Sequence, residues 1–284
     1  MTSSPVKAAP ALESPPARES GTAGQTLRLG VVPYLNVQPM VRSLRNEPSV
    51  TLESAIPSDL AGRLHTGSVD LGTVPSVEYA VGEYALVPGV AIGSRGAVKS
   101  VVLHHTRPLT AVRRVALDAS SRTSVALLRL LLLERLGHEP EYVTMPPSLE
   151  AMLDVADAAL LIGDPALDAR RDGPTLDLGE EWTRLTGLPF VYAVWAGPVG
   201  RVRGETVVLL QRALDLGLDA FDAIAAEWAA GDPERTLCYT KYLRTNMNYR
   251  LGEEELQGLA LFLRRAFEAG LVPRLPEIRF HATA

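Results

Sequence analysis

The stretch Leu27-Arg28-Leu29-Gly30-Val31-Val32 reads as an apolar strand that runs straight into the turn Pro33-Tyr34-Leu35-Asn36, and a helical pattern follows from about Pro39. This is the first unit of a long alternation. Apolar runs at Val50–Ala55, Asp70–Val74, Tyr84–Ile92, Val98–His105, Arg114–Asp118, Glu141–Met145, Ala158–Ile162 and Pro189–Trp195 predict further strands. Between them, Pro39–Asn46, Ser58–Thr66, Ser76–Val81, Ser121–Leu136, Ser148–Val155 and Glu180–Thr186 predict helices. Such an alternation folds as mostly parallel sheets with helices on their faces, an α/β architecture. From about Gly204 the pattern turns helical, with helices expected over 205–230, 233–245 and 253–269.

Two runs look like passages between lobes. Ala97–His104 ends before Arg107-Pro108, and Phe190–Ala196 ends before Gly197-Pro198. The residues between them hold a complete α/β set, which predicts a second lobe, 99–196, inserted into a first lobe made of 27–98 and 197–284. Two lobes joined by two crossover strands enclose a cleft, and ligands prefer such places. The alternative is one continuous doubly wound sheet.

Bulk properties exclude several classes. With 46% hydrophobic and 21% charged residues the chain has ample core material. The net charge of -5, with no Lys/Arg cluster longer than a pair, leaves no nucleic-acid footprint. No apolar run reaches the length of a membrane span. The single cysteine, Cys238, rules out an intrachain disulfide and is expected as a small buried residue in Leu-Cys-Tyr. Residues 1–26 are rich in Ser, Pro, Ala and Thr and lack an apolar segment, so they read as a disordered tail, not a secretory signal.

The strand-to-helix turns carry the candidate chemistry, because open α/β sheets bind ligands at the carboxyl ends of their strands. Tyr34 and Asn36 place a phenol and a carboxamide at the first such turn. Asp118-Ala119-Ser120-Ser121-Arg122-Thr123-Ser124 begins a helix on a cluster of hydroxyls. Unpaired N–H groups there, with Ser120, Thr123 and Ser124, suit a carboxylate or phosphate, whereas plain capping needs only one hydroxyl. Ser94-Arg95-Gly96 offers an arginine that can grip a carboxylate, or an ordinary exposed turn. Ser76 adds a hydroxyl after Thr73-Val74-Pro75. Asp164, in Ile162-Gly163-Asp164-Pro165, is expected to cap the helix it opens, with ligand contact or proton transfer as the alternative. The five histidines, His65, His104, His105, His138 and His281, form no metal-binding spacing, so no metal is expected. No nucleotide phosphate loop or nucleophile elbow is present. Met247, Tyr239, Tyr242 and Tyr249 in the helical tail read as packing residues.

These residues, taken in order, resemble the chorismate dehydratase family. The resemblance rests on V-P-Y-L-N at the first turn and L-A-x-x-L-x-x-G-x-x-D-x-G-x-V-P-S at Leu60–Ser76. It continues with S-R-G-x-V-x-S-V at Ser94–Val101, L-D-x-S-S-x-T-S at Leu117–Ser124 and L-L-I-G-D-x-A-L at Leu160–Leu167. The family opens the futalosine route to menaquinone. A related dihydroxynaphthoate synthase family shares the fold but differs at the first turn. The resemblance implies a type II periplasmic-binding-protein-like fold with a ligand cleft between the lobes and a helical C-terminal part. It implies dehydration of chorismate to 3-[(1-carboxyvinyl)oxy]benzoate without cofactor or metal. Asn36 is then the expected catalytic group, and Tyr34, Ser76, Ser94, Arg95, Gly96, Ser120, Thr123, Ser124 and Asp164 the expected substrate contacts. No residue at these turns is an unambiguous base, so a substrate carboxylate is expected to take the ring proton, with Asp164 as the competing base. The expected setting is the cytoplasm, with no nucleic-acid or membrane partner. The alternative function is a non-catalytic small-anion-binding protein or sensor of the same fold.

Overall fold

The computed structural model describes residues 26–169 and 171–283, so the expected tail lies, but for its last residue, outside the described residues. The strands are β1 (Leu27–Val31), β2 (Val50–Ser54), β3 (Leu71–Pro75), β4 (Tyr84–Ser94), β5 (Val101–His105), β6 (Arg114–Asp118), β7 (Glu141–Met145), β8 (Ala158–Ile162), β9 (Thr175–Asp177) and β10 (Phe190–Pro198). The α-helices are α1 (Gln38–Val41), α2 (Pro57–His65), α3 (Thr123–Leu136), α4 (Leu149–Val155), α5 (Gly163–Asp168), α6 (Leu178–Thr186), α7 (Gly204–Leu218), α8 (Phe221–Trp228), α9 (Pro233–Lys241) and α10 (Glu253–Glu268). They assemble on two five-stranded sheets of order β2-β1-β3-β10-β4 and β7-β6-β8-β5-β9.

The sheets are mixed, against the expectation of mostly parallel ones. β1 pairs in parallel with β2 and β3, as β6 does with β7 and β8, whereas β10 runs antiparallel to β3 and β4, and β5 antiparallel to β8 and β9. The cause is the route of the chain. It leaves the first sheet through β4 and returns through β10, two neighbours of necessarily opposite direction, and Ser94 at the exit is paired in register with Phe190 at the re-entry. All of β10 therefore belongs to the first sheet, and the boundary expected near residue 197 moves ahead of Phe190.

The outgoing strand is also shorter than expected. β5 begins only at Val101, because Gly96 (φ 84°) and Lys99 (φ 64°) turn the backbone into left-handed conformations. Asp177 holds that turn: its carboxylate accepts the N–H groups of Val98 (3.0 Å) and Lys99 (2.8 Å) while capping α6 through those of Gly179 (3.0 Å) and Glu180 (3.1 Å). Beside this hinge, Trp182, Phe190 and Phe262 pack edge to face, with ring centroids 4.9–6.2 Å apart. Each such contact adds roughly 0.5–1.5 kcal/mol to the apolar burial.

The helical tail departs from expectation in two places. The helix expected over 205–230 breaks between Leu218 and Phe221 into α7 and α8. The next one passes from α9 into a single π-helical turn, Tyr242–Asn246. Such turns, with one residue too many for regular helical bonding, recur at functional sites. Cys238 is exposed rather than buried. Among the described residues no helix is long and apolar enough to cross a membrane.

Candidate active site

The turn after β1 is held from the other lobe. Leu35–Val37 forms a 3₁₀ turn whose preceding residue, Tyr34, provides no side-chain cap. Asp164 caps it instead. One carboxylate oxygen accepts the Leu35 N–H at 3.0 Å, and the other accepts the indole N–H of Trp228 at 2.9 Å. The expectation that Asp164 caps its own helix is thus corrected, since α5 begins at Gly163 and the residue before it makes no side-chain cap. Burial pushes the Asp164 carboxyl up from the ordinary aspartate value, against the opposing pull of those two hydrogen bonds.

Tyr34 spans the same boundary. Its ring lies over Gly163, whose positive φ of 61° and lack of a side chain make room: a Cβ there would stand 3.1 Å from the ring. Its hydroxyl meets Ser120 Oγ at 3.1 Å. Ser120 donates its own proton to Asp118 at 2.6 Å, so Tyr34 is the donor to Ser120. Asp118, 1% exposed, also accepts the Ser120 N–H at 2.9 Å. Both donors of Ser120 are therefore committed to Asp118, and Ser120 can offer a ligand only lone pairs.

Thr123 differs. Its oxygen accepts the Val77 N–H of the first lobe at 3.2 Å, which leaves its proton free to donate. With Ser124 it sits in the first turn of α3, both buried. The N–H groups of that turn precede the first intrahelical partner and favour negative charge. Thr123, Ser124 and the start of α3 are thus better suited to an anion than Ser120 is. Arg122 next to them forms an ion pair across the lobes with the buried Glu78 at 2.5 Å.

The remaining expected residues gather at the hinge or leave the site. Ser94 is fully buried, with its oxygen 3.0 Å from the Tyr192 hydroxyl and 3.3 Å from the Gly96 carbonyl. Gly96 donates its N–H to Thr183 at 2.9 Å. Ser76 donates to the Val191 carbonyl at 2.7 Å, so its proton is taken. Arg95 turns outward to an exposed ion pair with Glu254 at 2.5 Å.

Asn36 lies in the Leu35–Val37 turn that Asp164 holds. Its Oδ1 is buried and accepts no hydrogen bond. A buried acceptor without a donor is uncommon and points to a ligand or water that completes it. In the helical tail, the Tyr242 hydroxyl donates to Ser100 Oγ at 2.8 Å. Sequence reasoning treated Tyr242 as packing and passed over Ser100, Tyr192 and Trp228. Of these, only Ser100 sits in a recognisable motif. The signal that could have found Ser100 was its place in the S-R-G-x-V-x-S-V run. Tyr242 and Trp228 come from the helical tail, and only the fold brings them to the cleft.

The lobes thus meet through Tyr34–Ser120, Leu35–Asp164, Trp228–Asp164, Val77–Thr123 and Tyr242–Ser100. Two surface cavities of about 560 and 390 Å³ lie away from Asn36, one along Arg107–Arg114 and Asp154–Asp157, the other beside His65, Glu78 and Arg122. Among the described residues no group of three or more His, Cys, Asp or Glu is placed to hold a metal ion.

Comparison with known proteins agrees with this arrangement. The menaquinone biosynthesis family matches residues 27–268. A chorismate dehydratase from Thermus thermophilus is 35% identical over 255 residues, 82% of this chain and 93% of that protein. Among solved structures, protein AF1704 from Archaeoglobus fulgidus superposes with a TM-score of 0.66 at 19% identity, covering 88% of this chain and 100% of that one. The periplasmic aliphatic sulphonate binding protein from Escherichia coli does so with a TM-score of 0.63 at 18% identity, covering 90% and 91%. At those identities the structures speak for the fold alone, the two-lobed architecture of periplasmic binding proteins. With most of its length matched both by the family and by a curated relative, the chain belongs to the menaquinone biosynthesis family that includes chorismate dehydratase.

Proposed function

We propose that the chain is a chorismate dehydratase, a carbon–oxygen lyase that converts chorismate to 3-[(1-carboxyvinyl)oxy]benzoate and water. The observation that carries this reading is the identity of 35% to the Thermus dehydratase over 93% of its length. The site chemistry supports it. Chorismate brings two carboxylates, and the start of α3 with Thr123 and Ser124 is suited to one of them. The Asn36 carboxamide, whose Oδ1 has no protein partner, is suited to hold the hydroxyl that departs, its N–H donating to the leaving oxygen, or to orient the enolpyruvyl arm.

In the reaction a ring C–H bond and a C–O bond break, the ring becomes aromatic, and the hydroxyl leaves as water with the proton equivalent. No oxidant or reductant enters the balance. The protein base is the weak point of any alternative. Both oxygens of Asp164 already accept hydrogen bonds that tie the lobes together. A substrate carboxylate that takes the proton makes the transfer intramolecular, and correct positioning alone can supply several kcal/mol. Closed lobes would exclude water and strengthen each polar contact. A cytoplasmic setting goes with this reading, as the place of a biosynthetic enzyme acting on a small soluble acid.

The test is to incubate the chain with chorismate and follow the aromatic product by absorbance and by the mass loss of one water. Product formation supports the dehydratase. Tight binding without product supports the second reading, a non-catalytic anion binder, which the likeness to a sulphonate-binding protein favours at the level of fold.

A further inference from the structure

The short helix α5 belongs to the second lobe, where it packs on β8 and β5. Both of its ends are nevertheless held by the helical tail of the first lobe. Near its start, the Trp228 indole at the end of α8 donates to Asp164 at 2.9 Å. At its last residue the Asp168 carboxylate meets α9. One oxygen accepts the Tyr239 hydroxyl at 2.8 Å, and the other accepts the Arg235 guanidinium at 2.7 Å. Arg235 also donates to the Tyr239 oxygen at 3.1 Å, and its guanidinium lies over the phenol ring, 5.3 Å from the centroid. Each of the three side chains is thus bonded to the other two.

Helix α9 is itself anchored at both ends. Asp232 caps its start through the N–H groups of Glu234 (2.9 Å) and Arg235 (3.1 Å). Its far end continues into the π-helical turn, from which Tyr242 donates to Ser100 and Asn246 donates to the Ala97 carbonyl at 2.7 Å, both in the crossing segment. The nine residues of α9 span about 13 Å at 1.5 Å per residue, so a stiff arm rooted beside the hinge reaches across to α5. Asp168 and Arg235 keep 40% and 42% of their side chains exposed, and an exposed ion pair contributes little by itself. Tyr239 is 1% exposed and donates to a charged acceptor, which makes the phenol the stronger tie.

We propose that Tyr239, with Arg235 and Asp168, is a clamp that holds the two lobes together and sets how often the cleft opens. None of the three lies on the turns that carry the candidate chemistry. The clamp therefore governs the entry and exit of a ligand and takes no part in its reaction.

Two backbone N–H groups report on the opening. Those of Leu35 and Val77 sit on the first lobe and have their acceptors on the second, Asp164 at 3.0 Å and Thr123 at 3.2 Å. Hydrogen exchange at these amides requires the lobes to part. In Tyr239→Phe it should be faster at both positions by about 3- to 30-fold, the low part of the range for a hydrogen bond to a charged group, because water reaches Asp168. Amides of the β3–β10 ladder should exchange as in the wild type. Unchanged exchange at Leu35 and Val77 overturns the clamp. Equal acceleration in the ladder also overturns it, since that marks a loss of packing and not an opening. Should Tyr239→Phe fold poorly, Asp168→Ala replaces it with the same expected and overturning outcomes. Tyr239→Phe added to Asp168→Ala should bring no further acceleration, as the two partners of one contact are not additive, and rates that multiply overturn the clamp as well. The unliganded full chain serves throughout, so the result is read independently of chorismate turnover.

Discussion

Tyr34 and Ser120, 86 residues apart in the sequence, meet hydroxyl to hydroxyl at 3.1 Å, and the Asp118 carboxylate behind Ser120 decides which of the two donates. The contact joins the first strand-end turn of one lobe to the corresponding turn of the other. It exists only while the lobes are together, so it belongs to the energetics of closing.

Removal of the Tyr34 hydroxyl should therefore weaken substrate binding. A neutral hydrogen bond of this kind contributes about 0.5–1.5 kcal/mol, roughly 2- to 10-fold in affinity. Tyr34→Phe is expected to raise the KM for chorismate by that factor, with a thermal midpoint within a few degrees of wild type. An unchanged KM in steady-state assays would show that the contact does not contribute to closing.

Asp164→Asn should keep most of its turnover while losing stability. An asparagine can accept only one of the two N–H groups now served, and its own NH₂ must face the other donor, a penalty of about 1–3 kcal/mol. The pH dependence carries its own sign. The carboxyl is raised by burial, so the folded chain binds this proton more readily than the unfolded chain does. Its contribution is present below the ordinary aspartate value and lost as pH rises through the raised one. Denaturation in that acid window should show this fall in wild type and not in the variant. Abolished turnover with chorismate still bound would make Asp164 the base.

Asp177→Ala should unfold the crossing. One carboxylate serves four N–H groups, two in the left-handed turn at Val98 and Lys99 and two at the start of α6. Loss of a helix cap alone costs about 0.5–2 kcal/mol, and the stranded turn donors add to it. Urea unfolding should show a loss of at least about 2 kcal/mol; a value near zero would mean that solvent replaces all four bonds.

His281 should make the chain less stable in mild acid. Burial lowers its imidazole from 6.5 to about 4, against the opposing hydrogen bond to the Ala85 backbone. The unfolded ring takes up a proton as pH falls below about 6.5, and the folded ring resists until about 4. Stability is complete above that window and declines through it, by about 2 kcal/mol between about pH 7.5 and about pH 5 on a scale of 1.36 kcal/mol per unit. His281→Gln should flatten this part of the profile, and equal slopes for the two proteins would assign the acid sensitivity elsewhere.

The alternation of strands and helices from Leu27 to Thr186 was legible because its signal is local: apolar spacing, a cap, a glycine after the last turn. The cleft turns were legible for the same reason, as each follows a strand. What escaped was whatever depends on two distant segments. Asp164 carries every local mark of a helix cap, but the nearest unpaired N–H in space belongs to Leu35. Ser120 looks like an anion ligand until Asp118 is seen to hold its proton. Lys99 gives no sign in sequence of a left-handed backbone, because Asp177 stabilises it from 78 residues away. The tail was misjudged most, since its apolar periodicity hides the π-helical turn that aims Tyr242 inward.

The pairing of Ser94 with Phe190 has a further consequence. The chain exits the first sheet and re-enters it at neighbouring rungs of one ladder, so everything between is topologically a cassette. Joined by a tight hairpin, β4 and β10 would retain every strand of their sheet, and the excised segment would carry away the α3 half of the cleft in one piece. Half of the cleft could thus be exchanged in a single insertion at one point of the scaffold, with Tyr34 and Asn36 left in place on the half that remains.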